Sequence, residues 1–289
     1  MNSQKLTKEA LSVIESYKNL SIGNCKILCP YFNNRRSGVR GALRVLIGKG
    51  TPKEIEEEAV LFALREKIDL EKLNETDLKK FLVDHNLGID CSGFIYHILD
   101  AQLKAQNKGG LKKHLKHPWI KNPLRKFIAK LRVVENTGVS TFNNDVNTSK
   151  VKLSDIKPGD LIIMMNTGLK NDMHHILIFH EVQFISNPSE ATGRDLSKNK
   201  SNETQNTVVI QNTDSPKDSS SPLEGLARNI LYTHSFQFTT DGQYNHGIKQ
   251  GEIKIINPNK NILDQEWSEV ETLNHAKMAK ELKIKRLKD

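Results

Sequence analysis

The chain predicts an α+β fold in which one buried helix packs on a central antiparallel sheet, and three observations lead there. Asp90-Cys91-Ser92-Gly93, followed by Phe94, Ile95, Ile98 and Leu99 at helical spacing, reads as a capped helix with one buried face. Residues 161–165 and 173–180 are apolar runs of strand length, the first entered by a Pro158-Gly159 turn. Residues 230–239 and 251–256 read as closing strands of the same sheet.

Taken in order, residues 1–20 form a short amphipathic helix with Leu11, Ile14 and Tyr17 on one side. The run Cys25-Lys26-Ile27-Leu28-Cys29 is apolar and stops at Pro30. Gly48-Lys49-Gly50-Thr51 fails the phosphate-loop pattern, which needs Gly at 43 and Ser or Thr at 50, where the chain has Leu43 and Gly50. It is a turn before a helix: Thr51 caps, Pro52 takes the first position and Glu54 completes a capping box. A further helix covers 76–85, with Leu78, Phe81 and Leu82 apolar. Residues 51–87 together form a helical insertion beside the helix that starts at Cys91.

Residues 101–134 are a basic insertion. They hold Lys104, Lys108, Lys112, Lys113, Lys116, Lys121, Arg125, Lys126, Lys130 and Arg132, with no Asp or Glu. Residues 136–150 are polar and turn-like. Beyond the strand at 173–180, residues 185–207 are rich in Asn, Ser, Lys and Glu and read as a flexible, exposed loop. A short strand follows at 208–215. Residues 1–262 are expected to form one domain, and 263–289 a basic helical tail.

Composition bounds the function. With 37% hydrophobic residues in 289, the chain can bury a sizeable core. It has no apolar run of about 18 residues, so no transmembrane segment is expected. Residues 1–20 lack the apolar core of a signal peptide, which argues for a cytoplasmic protein or one exported by a route the sequence does not display. Cys25, Cys29 and Cys91 make no disulfide framework and fit a reducing compartment. The net charge of +9 favours anionic partners. An anionic cell-wall polymer, a lipid surface or nucleic acid would each suit the basic insertion. Its few aromatic residues, Trp119 and Phe127, argue against a stacking platform for single strands.

The chemistry concentrates on Cys91. Asp90 is placed to accept from the free amides of the first turn, and Cys91 at the first helical position sits where peptide dipoles favour a thiolate. Ser92 and Gly93 are small enough for other backbone to come close. On the strand at 173–180, His175 shares a face with Leu177 and Phe179, and His174 with Ile176, Ile178 and His180. Adjacent histidines on a strand point apart, so a zinc ion shared by His174, His175 and His180 is awkward.

Asp90-Cys91-Ser92-Gly93-Phe94 before an apolar helix resembles the nucleophile motif of the NlpC-type cysteine peptidases and amidases. These papain-like enzymes mostly cut peptide bonds in bacterial peptidoglycan. Ile156-Lys157-Pro158-Gly159-Asp160-Leu161 resembles the family's strand before its catalytic His, and the resemblance spans 89–215. It implies a papain-like catalytic domain and a hydrolase acting on peptidoglycan stem peptides, with no metal or organic cofactor. Cys91 would be the nucleophile, and His175 its partner with His174 the alternative. Gln211, or Asn212 next to it, would be the third polar residue that holds the imidazole. Tyr31, within Pro30-Tyr31, would line the site, and Asp90, Ser92 and His174 would lie near substrate. The chain departs from the family at Asn33 and Asn34, where glycines are usual, and at Leu177, where the family has a small residue. Three rivals follow from the same residues: a thiol-dependent amidase or acyltransferase on another substrate, an inactive cell-wall or anion-binding module, and a nucleic-acid protein using Lys112 and Lys113.

Overall fold

The computed structural model describes residues 2–34, 43–184 and 227–288. Strand β1 (Asn2–Lys5) leads into helix α1 (Lys8–Lys18), capped by Thr7 and burying Ala10, Ile14 and Tyr17. A small hairpin follows, β2 (Leu20–Ile22) with β3 (Cys25–Ile27). Helix α2 (Pro52–Glu66) starts as its sequence predicts: Thr51 accepts from the Glu54 amide and the Glu54 carboxylate accepts from the Thr51 amide. Helix α3 (Glu75–Asp84) is capped by Asn74 and buries Leu78, Phe81 and Leu82. Helix α4 (Cys91–Ala105) is capped by Asp90 and buries Phe94, Ile95, Ile98 and Leu99. Then come α5 (Pro123–Leu131), α6 (Val139–Asn143), β4 (Thr148–Lys150), β5 (Leu161–Thr167), β6 (Met173–Phe184), β7 (Ala227–Phe236), β8 (Gly247–Lys254), β9 (Glu266–Trp267), α7 (Val270–Lys277) and β10 (Glu281–Leu287).

This is an α+β chain built on an eight-stranded sheet in the order β4-β10-β5-β6-β7-β8-β9, with β1 on β6. The long strand β6 organises it. Its first half pairs with β5 (Ile162 opposite Leu177), and where β5 ends, β1 takes over (Lys5 opposite Glu181). Side chains alternate across the sheet and feed two cores. Leu161, Ile163, Ile176 and Ile178 join Ile14 and Tyr17 of α1, Ile55 and Ala59 of α2 and Phe94 of α4. Ile162, Met164, Leu177, Phe179 and Tyr232 face the other way, onto Trp267 and Ala276. Pairing of β6 with β7 runs from Ile178–Thr233 outward to Phe184–Ala227 and does not extend to His175 or His234, so the two strands part at that end.

Two sequence expectations need correction. Residues 263–289 are not a helical tail: the helix is confined to Val270–Lys277, and Glu281–Leu287 is a strand inside the sheet, between β4 and β5. Leu282 and Ile284 pack on the second core, and charge hides the alternation because Lys285 is wholly buried. Its ammonium is matched by the Asn143 carbonyl and the Asp145 carboxylate, each at 2.6 Å. Arg286 grips Asp160 of the Pro-Gly-Asp turn at 2.7 and 2.8 Å, tying the last strand to the start of β5. The polar stretch 136–150 likewise holds α6 and β4 rather than turns alone. The loop at 185–207 and the strand at 208–215 lie outside the described residues. Cys25, Cys29 and Cys91 are free thiols.

Truncation before Glu281 tests the placement of β10. It would leave β4 and β5 without their shared neighbour, against a folding margin of roughly 5–15 kcal/mol for a domain. The expected result is loss of the cooperative transition in a urea melt followed by circular dichroism, whereas a dispensable tail would leave the midpoint in place.

Candidate active site

The tip of α4 is held from several sides before any chemistry is considered. Ile89 bridges to Tyr31 and to Lys49, its carbonyl accepts from the Phe32 amide (3.2 Å), and the Asp90 amide donates to the Gly48 carbonyl (2.9 Å). Gly48 has φ +74°, and a Cβ there would lie 2.5 Å from the Phe32 carbonyl oxygen. A Cβ on Gly93 would lie 2.8 Å from the Gly48 carbonyl oxygen, so the close backbone approach expected at the small residues is real. Inside this junction lies Lys49, 5% exposed. Its ammonium donates to the Asp90 carboxylate (2.8 Å), the Ser92 hydroxyl (2.5 Å) and the Thr137 carbonyl (2.8 Å). Asp90 also accepts from the Gly93 amide at 2.6 Å, the predicted cap.

Cys91 is 5% exposed, and its thiol lies within the influence of the backbone amide of Ile176, the residue after His175. The helix tip therefore reaches the end of the sheet where β6 and β7 part, and Ser235 of β7 donates to the Ile89 carbonyl there (2.8 Å). The expectation of an easily formed thiolate is corrected. Burial, then the Asp90 carboxylate, push the Cys91 thiol up to about 12, against the opposing pull of Lys49 and of the Ile176 and Ser92 amides. A helix start favours negative charge, but desolvation of a buried thiol is the larger effect here.

His175 turns to the other side of the sheet, 1% exposed, its ring 4.3 Å from that of Phe236 and 5.9 Å from that of His275. Its Nε2 hydrogen-bonds His234 Nδ1 at 2.9 Å, and His234 Nε2 hydrogen-bonds Glu269 Oε2 at 3.0 Å. His175 Nδ1 is buried and, among the described residues, has no hydrogen-bond partner, the Cys91 sulfur included. Burial, helped by the neighbouring His234 and His275, holds the His175 imidazole well below its ordinary range, so it stays neutral. Burial raises the Glu269 carboxyl, but its bonds with His234 and Thr272 outweigh that and keep it low and ionised.

No family model, curated protein or solved structure matches this chain.

The chain's own residues must therefore carry the assignment. His234 and Glu269 were missed at the sequence level, and so was Lys49. His234 shares a strand face with Tyr232 and Phe236, and that alternation was the available signal. Gln211 and Asn212 lie outside the described residues. Ser92, expected near substrate, is 3% exposed and holds Lys49. Asp90 is likewise spent on the cap and on Lys49. His174 faces the α4 side of the sheet, away from the His175 relay, and its Nδ1 accepts from the Asn166 amide (3.0 Å). Tyr31 does line an opening, a cavity of about 250 Å³ shared with Phe32, Val83, Asn86 and His246. Its ring is 5.6 Å from Phe236, which in turn packs on His175.

Two outcomes follow. Lys49→Met leaves Asp90 and Ser92 without their cation and should cost about 3–5 kcal/mol in urea melts, as for other broken buried pairs. Acid should also destabilise the fold early. His175 is held well below its ordinary value by burial, and burial takes His97, His180 and His275 down to about 4. The unfolded chain binds protons at these sites from about pH 6.5 downward and the folded chain does not, so each contributes stability that is lost at about 1.4 kcal/mol per pH unit below that point. Melts at pH 7.5 and pH 5.5 should differ by several kcal/mol, and equal midpoints would contradict the burial of these rings.

Proposed function

We propose that the chain is a cysteine hydrolase acting on an amide bond, with Cys91 as nucleophile and His175 as its base. The observation that carries this reading is the relay that ends on a buried nitrogen with no partner among the described residues. Ionised Glu269 accepts the proton on His234 Nε2. With the Nε2 proton directed to Glu269, His234 Nδ1 accepts from His175 Nε2, which leaves His175 Nδ1 as a bare acceptor. A buried acceptor with no partner is a cost unless something is meant to meet it. Cys91 reaches the same end of the sheet from the α4 face, its thiol within the influence of the Ile176 amide beside His175, and the proposed transfer crosses where β6 and β7 part.

The two shifted groups argue for proton transfer during attack rather than a preformed thiolate–imidazolium pair. As the sulfur–carbon bond forms, the thiol proton passes to His175 Nδ1 and the carbonyl oxygen takes the negative charge. The relay stabilises the transient imidazolium. His175 then protonates the amine, the carbon–nitrogen bond breaks, and water attacks the thioester with His175 again as base. The likeness to NlpC-type enzymes extends this to a papain-like arrangement and a peptidoglycan stem peptide, with amidation or acyl transfer on another substrate using the same pair. One observation favours the second reading, a binding module without turnover: the sulfur is almost enclosed.

Assay on muropeptides separates them. Cys91→Ala and His175→Ala should each abolish release of product, and Glu269→Gln should lower kcat by about 10²-fold with little change in KM, because it acts through His234. Full activity in either of the first two variants removes the hydrolase reading. Alkylation of Cys91 by iodoacetamide should be slow at pH 7 and rise about tenfold per pH unit above it. A folded chain that neither alkylates nor turns over muropeptide is the binding module.

A further inference from the structure

We propose that α5 and its flanks form an attachment site for an anionic lipid bilayer, with the helix lying in the plane of the headgroups. The helix docks on the body by an unexpected side. Its buried residue is Ala129, while Leu124, Phe127, Ile128 and Leu131, spaced as one stripe, point outward at 68, 61, 45 and 62% exposure. A helix that packed for stability alone would bury that stripe. Trp119, 46% exposed and just before the helix, adds an aromatic of the kind that settles at a membrane interface.

Charge selects the occupant. Arg125, Lys126 and Lys130 flank the stripe, all exposed, and no Asp or Glu occurs between 101 and 134. Lys112 and Lys113 add cations beside a cavity of about 440 Å³ that Leu131, Asp100 and Glu135 also border. Nucleic acid would use the cations and leave the apolar stripe in water. A second copy of the chain would bury the stripe but bring two cationic fields together. An anionic bilayer satisfies both, apolar side chains entering the acyl boundary and cations meeting phosphates. Among the described residues no helix is long and apolar enough to cross a membrane, so the contact is lateral.

The test is co-sedimentation of the full chain with phosphatidylcholine vesicles and with vesicles containing phosphatidylglycerol. Binding is expected on the second and to weaken with salt. Phe127→Ser with Leu131→Ser should lower it about tenfold or more. Lys126→Gln with Lys130→Gln should lower it by a similar factor, about tenfold, on charged vesicles only. Should the serine pair fail to fold, quenching of Trp119 by brominated phosphatidylglycerol, absent in Trp119→Phe, reads the same contact. Four results would overturn the proposal: no binding to phosphatidylglycerol at low salt, binding that the serine pair leaves unchanged, self-association abolished by that pair without vesicle binding, or RNA binding by the lysines without vesicle binding.

Discussion

The buried ammonium of Lys49 is the constraint on which the rest of the structure depends. An ion so far from water is tolerable only when its donors are matched, and here a carboxylate, a hydroxyl and a carbonyl match them. Those three acceptors belong to the cap of α4, its first turn and the segment leading to α6. One side chain thus fixes where α4 begins relative to the body. The Gly48 carbonyl, beneath a glycine that tolerates no Cβ, sets the height of the same turn through the Asp90 amide. Glu54 ties Arg44, at the start of this turn, to the cap of α2.

The parting of β6 and β7 follows from that placement. At that end the Ile89 carbonyl takes the Ser235 hydroxyl, which brings the tip of α4 against β7. The opening lets His175 and His234 face each other across the gap, with Glu269 at the N-terminus of α7 behind them. The same enclosure that builds the relay strips water from it. A buried thiol and a buried imidazole both become harder to charge, in opposite directions, so each stays neutral at pH 7. Low local dielectric thus disfavours a resting ion pair between the two groups.

What was legible in the sequence was what local physics decides. Thr51, Pro52 and Glu54 could hardly do anything but start a helix, and Asp90 with Phe94, Ile95, Ile98 and Leu99 specified both the cap and the buried face of α4. The turn at Pro158-Gly159 and the strands on either side were equally local. What stayed hidden depends on pairing at a distance. Lys283, Lys285 and Arg286 make β10 look like a solvated tail, because nothing nearby in sequence reveals the Asp145 and Asp160 carboxylates waiting for two of them. Lys49 reads as a loop cation for the same reason. At the candidate site, Cys91 and His175 are proposed from residue type and spacing. Their supports were not, since His234 and Glu269 gain meaning only when β7 and α7 are brought beside β6.

The basic insertion shows how the fold sharpens a compositional signal. Ten cations without a counter-charge say only that an anion is welcome. Folding divides that stretch. Its first residues extend α4, with Leu103 buried and Lys104 bound to Asp100. The segment around Leu111 and Leu115 packs into the main core. Only α5 is left presenting cations and large apolar side chains together, and it does so because the small Ala129 lets the helix lie on the body by its narrow side. A polymer of like charges asks for cations alone, whereas a surface that also accepts leucine and phenylalanine must have an apolar phase beneath its charge. The position of a single alanine, more than the number of lysines, separates those two kinds of partner.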